Sequence, residues 1–131
     1  MSPEHMESRR VPRVKVFIKV NVQIDASMKG HFDISKKDIE AHMLDVSILG
    51  IGILSKYFIP KGAILDLTFS LPLKSENQEQ KEQPFAVQGC VRSAIPWGKG
   101  FTRVGVEFSQ IDDVHREVLG RFIEQNLGRQ T

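Results

Sequence analysis

From Val14 to Ile24 every even position is apolar, while Lys15, Lys19, Asn21 and Gln23 hold most of the odd ones. A period of two predicts a strand with one buried face. Phe17 breaks the polar side and is expected as a partly exposed aromatic against a neighbouring strand. Ala26 to Gly30 reads as a turn, and about Lys37 to Leu44 as a second strand. Gly50 to Leu54 is again extended and apolar, and Pro60-Lys61-Gly62 signals a turn. Between Ile64 and Leu71 the residues Leu65, Leu67, Phe69 and Leu71 alternate with Asp66, Thr68 and Ser70, which repeats the half-buried pattern. Lys74 to Gln83 contains only Lys, Ser, Glu, Asn and Gln, which predicts a mobile hairpin loop without chemistry. Phe85 to Ile95 and Phe101 to Phe108 are the next strands, joined by Pro96-Trp97-Gly98-Lys99-Gly100, whose glycines allow a sharp bend. The period then changes. Val114, Val118, Leu119, Phe122, Ile123 and Leu127 fall at helical spacing, with Asp112 or Ser109 as the N-cap and Gly128 as the stop. Five or six short antiparallel strands followed by one helix point to a small closed barrel, its helix covering an end or a flank.

Composition narrows the setting. The chain has 131 residues, 40% of them hydrophobic and 26% charged, which fits one globular domain with a single core. Eighteen Lys and Arg against sixteen Asp and Glu give a formal charge of +2, too balanced to imply a long polyanion, so any anion site is local. Cys90 is the single cysteine, so no intrachain disulfide forms and a reducing compartment, the cytoplasm, is expected. No apolar run reaches the roughly 20 residues that span a bilayer, and the first ten residues are too polar for a signal peptide. Membrane insertion is not expected. His5-Met6 resembles a cloning scar, so residues 1–8 are read as an unstructured tail or cloning remnant, 9–127 as the domain and 128–131 as a tail.

Two clusters carry candidate chemistry. Arg9-Arg10-Val11-Pro12-Arg13 puts three guanidinium groups in a segment expected to be mobile, and Asp45-Val46-Ser47-Ile48-Leu49-Gly50 sets a carboxylate, a hydroxyl and a bare backbone in one turn. Guanidinium forks bind phosphate oxygens with charge assistance and also match the O6/N7 edge of guanine. Together the clusters suit a phosphate-bearing purine nucleotide. Asp45 and Ser47 could equally bond their own turn backbone, a reading that predicts no ligand. Trp97 in its glycine-rich bend is either an edge-capping hydrophobe or a stacking surface. The four histidines are scattered without zinc-site spacing, and Ser47 has no candidate base, so neither a metal nor acyl transfer is expected. Glu107 and Asp66 read as solvent-facing, and Arg92 and Arg103 as lone strand arginines that could extend a basic surface.

In order, Arg9-x-x-x-Arg13, Asp45-x-Ser47-x-x-Gly50 and Arg103-Val104-Gly105-Val106-Glu107-Phe108 before a terminal helix resemble the PilZ domain over about Arg9 to Leu127. Asp-x-Ser-x-x-Gly alone arises by chance about 0.03 times in such a chain, so specificity comes from the combination. The resemblance implies a mainly β fold, a six-stranded antiparallel β-barrel of split-barrel type with a C-terminal α-helix. It also implies a non-catalytic receptor for the bacterial second messenger cyclic di-GMP, with no further cofactor. Arg9 and Arg13 would grip guanine edges and phosphates, and Arg10 would add a phosphate contact. Asp45 would accept from guanine N–H groups or steer an arginine. Ser47 would donate a hydroxyl, and Gly50 would leave room for the base and permit positive φ. Trp97 would stack on a guanine, worth about 1 to 3 kcal/mol.

Val11 and Pro12 restrict the backbone between the arginines, so the arm is expected to stay extended when free and to fold over the ligand. Ligand binding would then change the surface offered to a partner. With the chain nearly filled by the domain, output is expected through a downstream protein or a homodimer in motility, biofilm or virulence control. The helix face of Phe122, Ile123 and Leu127 is either the docking surface or core. A PilZ-like adaptor that binds no nucleotide is the alternative. A nucleic-acid-binding barrel is disfavoured by near-neutral charge and few exposed aromatics.

Overall fold

The computed structural model describes residues 11–24 and 38–127. The predicted turn at Ala26 to Gly30, the helix stop at Gly128, and Arg9 and Arg10 lie outside the described residues. Six strands and one helix follow in chain order: β1 (Val14–Ile24), β2 (Asp38–Val46), β3 (Gly50–Ser55), β4 (Ile64–Lys74), β5 (Gln80–Gly98), β6 (Phe101–Gln110) and α1 (Asp113–Leu127). All strand pairs are antiparallel, and the order β1-β2-β3-β6-β5-β4 closes on itself through β1 against β4. The expected mainly β barrel with a C-terminal helix is the fold. Closure matters because it leaves few strand edges unpaired.

Side chains of alternate residues fill the interior. Val14, Val20, Val22 and Ile24 of β1 meet Ile39, Ala41 and Met43 of β2, Ile51 and Ile53 of β3, and Leu65, Leu67 and Leu71 of β4. Phe17 remains 71% exposed, its ring stacked on His42 of β2 at 4.5 Å between centroids. Leu119, Phe122 and Ile123 of α1 are buried in the same core, with Leu127 partly buried against it. That helix face is therefore packing surface, not a docking surface. Asp112 is the N-cap, its carboxylate accepting the His115 N–H at 2.7 Å. The far end of α1 is tied to β4 by Gln125, which accepts from Lys74 N at 3.0 Å and donates to Lys74 O at 2.9 Å.

Two expectations are corrected. Lys74 to Gln83 is not a loop throughout: β4 and β5 stay paired from Leu71 with Gln83 out to Lys74 with Gln80. Ladder hydrogen bonds need no apolar side chains, and Leu71 and Leu73 bury their face of the ribbon. The turn that remains is closed by the Ser75 N–H donating to Glu79 O at 2.9 Å. Likewise Pro96, Trp97 and Gly98 belong to β5, and the bend is only Lys99-Gly100. Positive φ at both residues, 56° and 82°, is the geometry a two-residue hairpin of native twist requires.

Candidate functional site

On β2 the residues Ile39, Ala41 and Met43 face the core, and the next buried position is Val46. A register shift between Met43 and Asp45 makes the difference. Without this irregularity, alternation would drive the Asp45 carboxylate inward; with it, the side chain lies on the outer wall above β3. There it accepts from two guanidinium groups. Arg13 Nη1 stands 3.0 Å from Oδ1, and Arg103 Nη2 of β6 is hydrogen-bonded to Oδ2. Asp45 keeps only 14% of its side chain exposed, against 51% for Arg13 and 28% for Arg103.

Glycine opens the seat for this cluster. Asp45 of β2, Gly52 of β3, Gly105 of β6 and Ser93 of β5 lie side by side in register across four strands. A Cβ on Gly52 would fall 2.9 Å from Asp45 Oδ1 and 3.0 Å from Arg103 Nη2. The bare backbone therefore leaves space for the ion pair. The Arg103 guanidinium carbon also sits 5.7 Å from the centre of the Trp97 ring, within cation–π range.

The turn after Asp45 is held by its own backbone. Ser47 N–H donates to Gly50 O at 2.9 Å, and the Leu49 N–H donates to Ser47 Oγ at 3.1 Å. Ser47 is 2% exposed, so part of its role is to shape the turn. Gly50 is corrected. It is not among the positive-φ glycines, which are Gly62, Gly98 and Gly100 in the described residues. A Cβ there would lie 2.0 Å from the Val106 carbonyl oxygen, so glycine is required by the close approach of β3 to β6.

Arg13, Ser47 and Gly50 line one groove of about 240 Å³ with Arg92, Ser93, Gly105 and Glu107. Arg92 Nε stands 3.4 Å from Glu107 Oε2 across its rim. A larger groove of about 670 Å³ lies between β4, β5 and the start of α1, lined by Asp66, Gln88, Gln110, Asp112 and Arg116 among others. None of the predicted site residues borders it, and it lacks a cluster of cations. Volume and chemistry thus point to different places, and charge favours the smaller groove for an anion.

Of the predicted residues, Arg13, Asp45, Ser47 and Gly50 come together, and Trp97 joins them through Arg103. Arg103 and Gly52 were missed as site residues. Arg103 is 58 positions from Asp45 and, although it opens the Arg103 to Phe108 motif strand, was read as a lone strand arginine; Gly52 lies in none of the motifs.

A closed six-stranded ring with one terminal helix, bearing arginines and a carboxylate clustered on its outer wall, defines a small β-barrel domain. The PilZ domain profile matches residues 7–125, and the chain belongs to the PilZ family. The fold is similar to the Bacillus subtilis inhibitor of motility MotI/DgrA (TM-score 0.66, 16% identity, 93% of this chain and 51% of that one). It is also similar to the PilZ domain of YcgR from Escherichia coli solved with c-di-GMP (TM-score 0.61, 14% identity, 93% of each chain). A third likeness is MrkH of K. pneumonia in complex with c-di-GMP (TM-score 0.61, 13% identity, 93% of this chain and 53% of that one). The chain thus spans about half of MotI and MrkH. No curated protein matches its sequence. Among the described residues no helix is long and apolar enough to cross a membrane.

Proposed function

We propose that this PilZ domain is a non-catalytic receptor that binds cyclic di-GMP and passes the signal to a partner protein by a change in conformation. The observation that carries the reading is the convergence of Arg13, Ser47 and Gly50 on one groove, with the Asp45 carboxylate joined to Arg13 at its edge. The structural likeness to two proteins solved with c-di-GMP supports it.

In this reading Arg13 leaves Asp45 for a phosphate or a guanine edge, and Arg9 and Arg10, adjacent in sequence, add guanidinium groups. The exchange is inexpensive. With Arg13 half exposed and Arg103 remaining on the carboxylate, parting Arg13 from Asp45 costs about 1 kcal/mol, whereas hydrogen bonds to charged groups contribute about 1.5 to 3 kcal/mol each. Movement of the arginine segment onto the ligand alters the surface beside β1 and supplies the output.

Calorimetric titration of the parent chain with cyclic di-GMP tests the reading, alongside Arg9→Ala, Arg13→Ala and Asp45→Ala. The parent is expected to bind and each variant to bind at least about tenfold more weakly. Full binding by all three variants would remove the site. No binding by the parent would leave a PilZ adaptor that acts through protein contacts alone.

A further inference from the structure

Asp45 meets two arginines in unlike settings. Arg13 precedes β1, half exposed, with Nη1 at 3.0 Å from Oδ1. Arg103 lies within β6, paired in the ladder with Leu54 on one side and Ile95 on the other. Its guanidinium carbon rests 5.7 Å from the Trp97 ring centre, and its Nη2 reaches Asp45 Oδ2 over the bare backbone of Gly52. Ladder, ring and floor all hold Arg103. Arg13 shares none of these three supports.

We propose that Arg103 is the resident partner of Asp45 and a positioning residue for the ligand, while Arg13 is the exchangeable partner. The inference rests on the receptor reading above. When a phosphate draws Arg13 away, Oδ1 becomes free to accept from a guanine N–H, and Arg103 still holds Oδ2. A carboxylate with only 14% of its side chain exposed is then never stripped of both cations, a loss that would otherwise subtract from the affinity of the ligand. Trp97 acts through Arg103, holding the guanidinium plane, and does not itself have to meet a base.

Side-chain NMR of the arginines in the full unliganded chain reads the first half. Arg103 is expected to show restrained rotation about its guanidinium bonds and Arg13 to show averaging. Asp45→Asn should release Arg103 and shift Trp97 fluorescence. Calorimetry with cyclic di-GMP reads the second half: Arg103→Met should weaken binding about tenfold, as loss of a charged hydrogen bond does. Arg103→Lys, which keeps the cation and a donor, should recover most of that loss. In an Asp45→Asn background Arg103→Met should add less than about a twofold change, because both residues act through one contact.

Additive losses in the double variant would make Arg103 a direct ligand contact and overturn the inference. So would an averaging Arg103 beside a restrained Arg13, whatever the ligand does. A parent chain that binds no cyclic di-GMP overturns the receptor reading instead, and the NMR pattern, obtained without ligand, keeps the two failures apart.

Discussion

Replacing Gly50 by alanine should loosen the barrel at the rim of the candidate site. The added Cβ would lie 2.0 Å from the Val106 carbonyl oxygen and 3.0 Å from Glu107 Cα. Carbon and oxygen ordinarily approach no closer than about 3.3 Å, so β3 and β6 would have to part by about 1.3 Å. Both contacts are backbone, and no side-chain rotation relieves them. The separation also strains two flanking bonds, from Ser47 N–H to Gly50 O at 2.9 Å and from Phe108 N–H to Leu49 O at 2.8 Å. Overpacking costs about 1 to 3 kcal/mol and each lost hydrogen bond about 1 kcal/mol, which sums to about 3 to 5 kcal/mol. At about 4 °C per kcal/mol for a chain of this size, the melting temperature should fall by about 12 to 20 °C. Thermal and urea melts of the full chain measure this. The matched control is Gly120→Ala in α1, where a Cβ meets nothing within 4 Å. The same methyl should there stabilise by about 0.5 to 1 kcal/mol through helix propensity. A Gly50→Ala protein melting within about 3 °C of the parent would refute the close-approach argument. Lost ligand binding in that variant would therefore not show that Gly50 touches a ligand.

Gly52→Ala carries the complementary expectation: its methyl meets the ends of two side chains, so melting should change by less than about 1 kcal/mol while the displaced Asp45–Arg103 pair lowers cyclic di-GMP affinity in calorimetry. Lys99→Asn should raise the melting temperature by the equivalent of about 0.5 to 1 kcal/mol, because φ of 56° suits Asn better than Lys. The Asp112 carboxyl is held below its ordinary value of 3.8 by the His115 backbone N–H first and by the His115 ring beside it. A folded pKa below the unfolded one gives stability that is present above 3.8 and lost as pH falls through the folded value, so the melting gap between parent and Asp112→Ala should narrow in acid. A gap unchanged down to strongly acid pH would contradict that sign.

Much of the barrel was legible because its strands bury one face and leave the other wet. β1 shows this from Val14 to Ile24, and β4 from Ile64 to Leu71. Lys74 to Gln83 misled because composition reports burial, whereas strand pairing there is carried by backbone bonds and by Leu71 and Leu73 across the ribbon. The site was half legible. Arg13 and Asp45 stood out by motif, and the fold brings them into one ion pair. Arg103 stood in the Arg103 to Phe108 motif strand, but its link to Asp45 was not legible, since it spans 58 positions and depends on the irregularity in β2 and the empty space over Gly52. Gly50 was noticed for its bareness, but the demand comes from a neighbouring strand and not from backbone conformation.

Backbone amide NMR of the full chain under saturating cyclic di-GMP tests the central claim most directly. Shifts are expected at Arg13, at Asp45 and through Ser47 to Gly50, with Asp66, Gln88 and the start of α1 left in place. Unmoved amides around Arg13 and Asp45, or shifts gathered in the β4–β5 groove instead, would contradict it.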